Sequence, residues 1–380
     1  MFTLIKNGAV YSPDSLGQQD VLLCAGKIVA IAPEIAAATL SAPCQVIDAT
    51  GKIVTPGLID QHVHLIGGGG EGGLGTRTPP VSFSKLVMAG LSTVVGVLGT
   101  DGSSRSPRDL YAKAMGFRQE GLSTFMHTGS YQVPTVTITG SIRDDLIFID
   151  PVMGVKIAMA DHRGSFPTSE ELLRLISDVR MGGMLAGKKG VLHIHLGALP
   201  GAFEQINALV ERGIPRHHFS PTHTARCQRL FADAVEFAKL GGHIDITSGG
   251  SCAFESPAHA VAAALAAGVD ASRITISSDG NGSMPVFNAA GEMVAIAAAD
   301  VDSNLKLLPK LTALGVPFEA ALAMTTRNVA ESVGIAKGEL KVGADADVCV
   351  LDQALGLDTL IARGRTLVAG GAQIVRGNFE

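Results

Sequence analysis

Eight short apolar runs, separated by segments of helical period, organise the middle of this 380-residue chain. The runs read as strands at Gly57–His62, Ser92–Leu98, Ser123–Thr128, Gly154–Met159, Gly190–His195, His218–Pro221, His243–Thr247 and Arg273–Ser278. Between or after them lie helix-like stretches at Ser82–Ala89, Pro107–Gln119, Thr168–Met181, Phe203–Arg212, Ala225–Lys239, Pro257–Ala267 and Leu305–Leu314. Strands alternating with helices call for parallel pairing, because each crossover returns the chain to the same end of the sheet. Eight such units predict an α/β fold built on a closed (β/α)8 barrel rather than an open sheet.

The two ends of the chain have another texture. Leu4–Tyr11, Asp20–Cys24, Lys27–Ile31 and Gln45–Asp48 are β-rich runs broken by turns at Asn7-Gly8 and Gly26-Lys27. The last 40 or so residues repeat that pattern at Asp347–Leu351, Thr359–Arg363, Thr366–Val368 and Gln373–Val375, with the turn residues Gly and Asn or Lys as punctuation. Neither end makes a stable sheet alone. Residues 1–55 and 342–380 are therefore expected to combine as one small β-sandwich around a barrel at 56–341, with Pro56-Gly57 leading in and Gly338–Gly343 leading out.

Charge and composition narrow the function. A net charge of −5 and no cluster of Lys and Arg argue against nucleic acid as a partner. No apolar run reaches the roughly 18 residues of a membrane span; the Ala-rich stretch Ala258–Gly268 comes closest and reads as a buried helix. The chain starts directly on a strand-like segment, Phe2–Ile5, with no basic-then-apolar leader. Five cysteines, Cys24, Cys44, Cys227, Cys252 and Cys349, are scattered without a CxxC pair. Reduced thiols in the cytoplasm are the expectation.

Polar residues of one chemical kind mark the ends of the apolar runs. His62 and His64 lie two apart at the end of the first, so a period of two turns both imidazoles to one side. His195 ends the fifth, His223 follows the sixth, and Asp279 follows the eighth. Several imidazoles and a carboxylate suit zinc-like divalent ions. Barrel enzymes carry their chemistry at these C-terminal strand ends. Asp279 there can touch a metal and still take a proton from bound water.

Lys156 sits inside the apolar run Met153–Met159. One reading pairs it with an acid such as Asp161. The other starts from burial, which depresses a lysine pKa toward neutrality. A neutral amine adds CO2 to give a carbamate, whose two oxygens each offer a ligand to one of two adjacent ions. The second reading is the stronger, because it explains a lone lysine between the histidine pairs. His193 faces the same way as His195, one layer deeper, and reads as a satisfied core histidine. His127, His162, His217, His218, His243 and His259 read as loop or packing residues, with His243 the first to reconsider.

Further polar residues fall just past strand ends: Glu71, Thr100, Tyr131, Arg163, Arg226 and Ser283. Glu71 follows the glycine run Gly67–Gly70, which lacks a following GK[ST] and so is no phosphate loop; such a run lets backbone approach a ligand. Two arginines can each clamp a carboxylate, while Glu71 can meet an ammonium. A small zwitterion with two carboxylates and one amine would satisfy all three. Any one of these side chains taken singly also fits an ordinary surface ion pair.

The chain resembles the amidohydrolase superfamily, and within it the isoaspartyl (β-aspartyl) dipeptidase family. The stretches that carry the resemblance are Gly57–Glu71, Gly96–Asp101, Asp161-His162-Arg163, Ser277–Ser283 and Gly343–Asp347. The resemblance implies two Zn2+ per subunit: one on His62 and His64 with Asp279, the other on His195 and His223, bridged by carboxylated Lys156 and a hydroxide. It implies Tyr131 and Asp279 as catalytic groups, with Glu71, Thr100, Tyr131, Arg163, Arg226 and Ser283 around a small β-aspartyl dipeptide. A homo-oligomer, commonly an octamer in the family, is implied as well. This chain departs from the pattern at His193, where an apolar residue is usual, and in detail at Gly197–Pro200 and Asn281–Glu292. Two other functions share parts of the pattern. A cyclic amidase of the dihydroorotase or hydantoinase kind has the same metal set, but its ring substrates lack a free amine for Glu71. A non-catalytic scaffold relative would have lost metal ligands, and all are present here.

Overall fold

Val-, Ile- and Leu-rich segments form the expected strands in the computed structural model, which describes residues 1–40, 42–250, 252–287 and 293–380. The strands of the central unit are Leu58–Val63, Leu91–Gly96, Ser123–Gly129, Val152–Met159, Val191–Leu196, Phe219–Thr222, Ile244–Thr247 and Ile274–Ser277. The first six pair in chain order as one parallel sheet, and the last two form a parallel pair. Every residue of the first, second, fourth and fifth of them is buried. Near-continuous apolar runs behave this way in a parallel sheet covered on both faces.

Side chains span the breaks between the two ladders, so the sheet curls. Thr222 at the end of the sixth strand donates from Oγ1 to Asp245 of the seventh at 2.6 Å. The same buried carboxylate accepts from Gln61 of the first strand at 2.7 Å and from Thr275 and Ser277 of the eighth at 2.8 and 2.6 Å. Backbone bonds add to this: His64 N–H donates to Gly280 O at 2.9 Å, and Val63 bridges Gly280 in parallel. Asp245 is thus the acceptor on which strands from both edges converge.

Helices cover the outside where the 3.6-residue period set them. Ser169–Ala186 opens on a capping box, Thr168 with Glu171, and stops at the left-handed Gly187. Pro107–Glu120 opens on Ser106 with proline in the first turn and stops at Gly121. Several elements were not legible as such. Short helices occupy Ile142–Phe148, Phe318–Ala323 and Arg327–Val333, each too brief to show a period. An antiparallel pair, Ser283–Phe287 with Met293–Ala298, follows Asp279 directly. It begins inside the Asn281–Glu292 region singled out above, of which 288–292 lie outside the described residues. Among the described residues no helix is long and apolar enough to cross a membrane.

Both termini meet in one sheet. Ile53–Pro56 pairs antiparallel with Val348–Leu351, joining the strands Phe2–Tyr11, Ser15–Cys24, Lys27–Ala32 and Cys44–Asp48 to Leu357–Ala362, Arg365–Ala369 and Ala372–Gln373. Its core includes Ile5, Val10, Val21, Leu23, Val54, Val348, Val350 and Ile361. Hydrogen bonding is continuous through this sheet, with Phe2–Tyr11 paired to three neighbours.

Candidate metal centre

Two strained residues aim the site. His223 and Asp279 follow the sixth and eighth strands with φ of 63° and 54°. A left-handed backbone is costly for residues other than glycine, and such outliers gather where geometry serves function. Each turn carries its side chain back over the mouth of the sheet. His62 sits at the end of the first strand and His64 just beyond it. Their Nε2 atoms lie 3.3 and 3.1 Å from Asp279 Oδ1. One ligand atom each from His62, His223 and Asp279 falls within 4.8 Å of the others. The rings of His62 and His195 stand 5.1 and 4.6 Å from that of His223.

Lys156 is fully buried in the fourth strand, with Nζ 3.0 Å from His62 Nε2. Burial pushes its pKa down to about 7, so an uncharged amine is within reach near neutrality. It makes no pair with Asp161, which is engaged elsewhere. Asp161 Oδ2 lies 2.8 Å from His195 Nε2 and 2.8 Å from Arg163 Nη2, while Oδ1 accepts from Arg163 Nε at 2.9 Å. Burial opposes ionisation of this carboxyl, but the bonds from Arg163 and His195 hold it well below the usual carboxylate range. An ionised Asp161 accepts only. His195 therefore carries its proton on Nε2, and its bare Nδ1 accepts from the Tyr131 hydroxyl at 2.6 Å.

The other imidazoles are likewise fixed. His223 Nδ1 lies 2.7 Å from Thr247 Oγ1, and its Nε2 is buried without a hydrogen-bond partner. Burial drives His62, His193 and His223 well below the ordinary histidine range, and His195 down to about 3. Neutral imidazoles beside a carboxylate, with a buried nitrogen left unpaired, are what a divalent nitrogen- and oxygen-ligated ion requires. The donor set fits such a metal.

At the rim, Glu71 accepts from Thr100 Oγ1 at 3.0 Å, Ser283 Oγ at 3.1 Å and Arg163 Nη1 at 3.0 Å. Burial works against its charge, yet these donors keep it ionised. Arg226 stands 3.9 Å from Asp161 and keeps a buried Nε without a partner. All twelve side chains picked from the sequence, from His62 to Ser283, thus join one connected cluster. In the glycine run, a Cβ on Gly68 would come within 3.3 Å of His64 Nδ1, so the backbone there packs closely on the His64 ring.

Sequence reasoning passed over three partners. Asp161 was weighed only against Lys156, although its place just past the fourth strand was the available signal. Thr247 had no signal. His193 was read as core, and it lies 2.9 Å from His62. His243, the first alternative, is buried just before the seventh strand, at the opposite end from the cluster, and takes no part in it.

Comparison with known proteins places this geometry. Residues 53–371 match the amidohydrolase family. The crystal structure of a β-aspartyl dipeptidase from the keratin-degrading thermophile Fervidobacterium islandicum AW-1, in complex with β-Asp-Leu, superposes with a TM-score of 0.92 at 40% identity over 100% of both chains. A dihydropyrimidinase from Brevibacillus agri NCHU1002 reaches 0.71 at 18% identity over 99% of this chain and 97% of its own, a likeness of fold alone. A dihydroorotase from Halalkalibacterium halodurans is 40% identical over 101 residues, which is 26% of this chain and only 22% of that enzyme.

Proposed function

The chain belongs to the amidohydrolase family, in its β-aspartyl dipeptidase branch, and from there we propose that it hydrolyses the isopeptide bond of β-aspartyl dipeptides. The observation that carries this reading is Glu71 fixed between Thr100, Ser283 and Arg163 at the rim of the histidine cluster. A β-aspartyl dipeptide presents one free α-ammonium and two carboxylates. Glu71 suits the first, and Arg163 and Arg226 suit the others.

His62, His64 and Asp279 would hold one divalent ion, His195 and His223 a second, with carboxylated Lys156 between them; zinc suits these donors. Such a pair supplies Lewis-acid polarisation of the scissile carbonyl and lowers the pKa of water in the site. Asp279, placed against both first-strand histidines, accepts the proton of the attacking water and returns it to the departing amide nitrogen. His195 Nδ1, which now accepts from Tyr131, would be the nitrogen offered to an ion. The Tyr131 hydroxyl, which burial keeps protonated, would then be free to donate to the β-carbonyl oxygen as negative charge develops there. Arg163 keeps its angle through Asp161. In the same reading the two parallel ladders are one closed (β/α)8 barrel spanning 56–341, and 1–55 with 342–380 are a sandwich-like small domain.

The local dihydroorotase similarity favours a second reading, a cyclic amidase. Ring substrates of that kind have no amine for Glu71 to meet. The test is an assay of the Zn2+-supplemented protein on β-Asp-Leu, α-Asp-Leu, dihydroorotate and hydantoin. Turnover of β-Asp-Leu alone is expected. Ring opening without dipeptide cleavage would establish the second reading, and inertness toward all four would leave a scaffold.

A further inference from the structure

His193 is a buried histidine whose surroundings are those of a relay rather than of a packing residue. It lies in the fifth strand two positions before His195, in register with Lys156 on one side and Ser220 on the other. Its ring is wholly buried. Nε2 lies 2.9 Å from His62 Nδ1, and Nδ1 lies 3.0 Å from Ser220 Oγ. The His127 ring stacks on it at 5.1 Å and 17°, which fixes its plane. His62 meets it edge-on at 5.0 Å and 62°.

From this geometry we infer that His193 is a positioning residue for the metal site, which selects the tautomer of His62. The inference rests on the metal reading proposed above. His62 turns Nε2 toward Lys156 Nζ at 3.0 Å and Asp279 Oδ1 at 3.3 Å. To offer a lone pair there, it must carry its proton on Nδ1. That proton needs an acceptor, and His193 Nε2 is in place. His193 can accept on Nε2 only when its own proton is on Nδ1, where Ser220 Oγ receives it. The chain His62, His193, Ser220 therefore fixes both tautomers in one direction. An apolar residue at 193 would leave the His62 Nδ1 proton buried and unpaired, favouring the wrong tautomer.

The test uses the full-length metal-free protein with Zn2+ as the probe, competed against a chromogenic chelator. His193→Leu fills the space without an acceptor, while His193→Gln returns an oxygen near the place of Nε2. His193→Leu should weaken Zn2+ retention by about 10–100-fold, with the metal-free melting temperature little changed. His193→Gln should recover most of that loss. Ser220→Ala, which cuts the far end of the relay, should weaken binding in the same direction but less, and it decides the matter if His193→Leu does not fold. Wild-type affinity in both His193→Leu and Ser220→Ala overturns the inference, as does an equal loss in the leucine and glutamine variants. If the wild-type protein takes up no Zn2+, the metal reading itself fails, a result distinguishable from the other two.

Discussion

His195 donates its Nε2 proton to Asp161 Oδ2 across 2.8 Å, and the same oxygen accepts from Arg163 Nη2 at 2.8 Å. One carboxylate therefore orients the His195 imidazole and the Arg163 guanidinium together, which in the proposed function are a metal ligand and a substrate clamp. Asp161→Asn keeps the shape and loses the charge that both donors need. Metal retention should weaken by about 10–100-fold, and KM should rise because Arg163 loses its anchor. Metal titration alongside steady-state kinetics checks this; a change in one without the other would show that the two roles are not coupled.

Lys156 forms no salt bridge among the described residues, and burial outweighs the pull of Asp279 and Asp245 to bring its pKa down to about 7. Lys156→Ala should release metal and abolish turnover. Adding acetate or propionate should restore part of both, because a small carboxylate can take the place of the carbamate. Full metal content in the alanine variant would refute the bridging role.

Glu71 is half-exposed in a loop, and its partners Thr100, Ser283 and Arg163 hold it in position. Glu71→Gln removes the charge opposite an α-ammonium. A hydrogen bond to a charged group contributes about 1.5–3 kcal/mol, so kcat/KM should fall about 10–100-fold. The melting temperature should stay within about 2 °C of wild type. Equal turnover of α-amino-blocked and free substrate by the wild-type enzyme would count against the assignment.

Asp279 stands 3.1 Å from His64 and 3.3 Å from His62, the position that the proposed double role of ligand and proton shuttle requires. Asp279→Asn should keep most of the metal yet lose at least about 10²-fold in kcat, the usual lower bound for a positioned acid–base group. Wild-type turnover with metal bound would move the shuttle to another side chain.

Asp245 accepts from Gln61, Thr222, Thr275 and Ser277 at 2.6–2.8 Å. Asp245→Ala removes the shared acceptor of four buried donors, strands Thr222 and Ser277 outright, and should cost on the order of 3 kcal/mol. Denaturant unfolding with an unchanged slope reads this directly. A loss below about 1 kcal/mol would mean that backbone pairing alone holds the curl of the sheet.

The sequence by itself determined the order of the parallel strands and the chemistry at their ends. Short apolar runs rich in Val, Ile and Leu, alternating with helical segments, read as strands buried on both faces, and a histidine or carboxylate that closes such a run emerges at the sheet mouth. His62, His64, His195, His223 and Asp279 were legible for that reason. The tertiary structure alone decided who pairs with whom. Asp161 could bond Lys156 or His195 from its position in the chain, and only the curl of the sheet brings it to His195. Asp245 looks like any polar strand residue until Gln61, 184 positions away, donates to it. His193 carries the same strand period as a packing residue would. Its partner His62 lies 131 positions away. Period and composition encode which face a side chain takes, because that is fixed within a few residues. Hydrogen-bond partners across a curled sheet depend on its register and curvature, and those come from contacts between segments far apart in the chain.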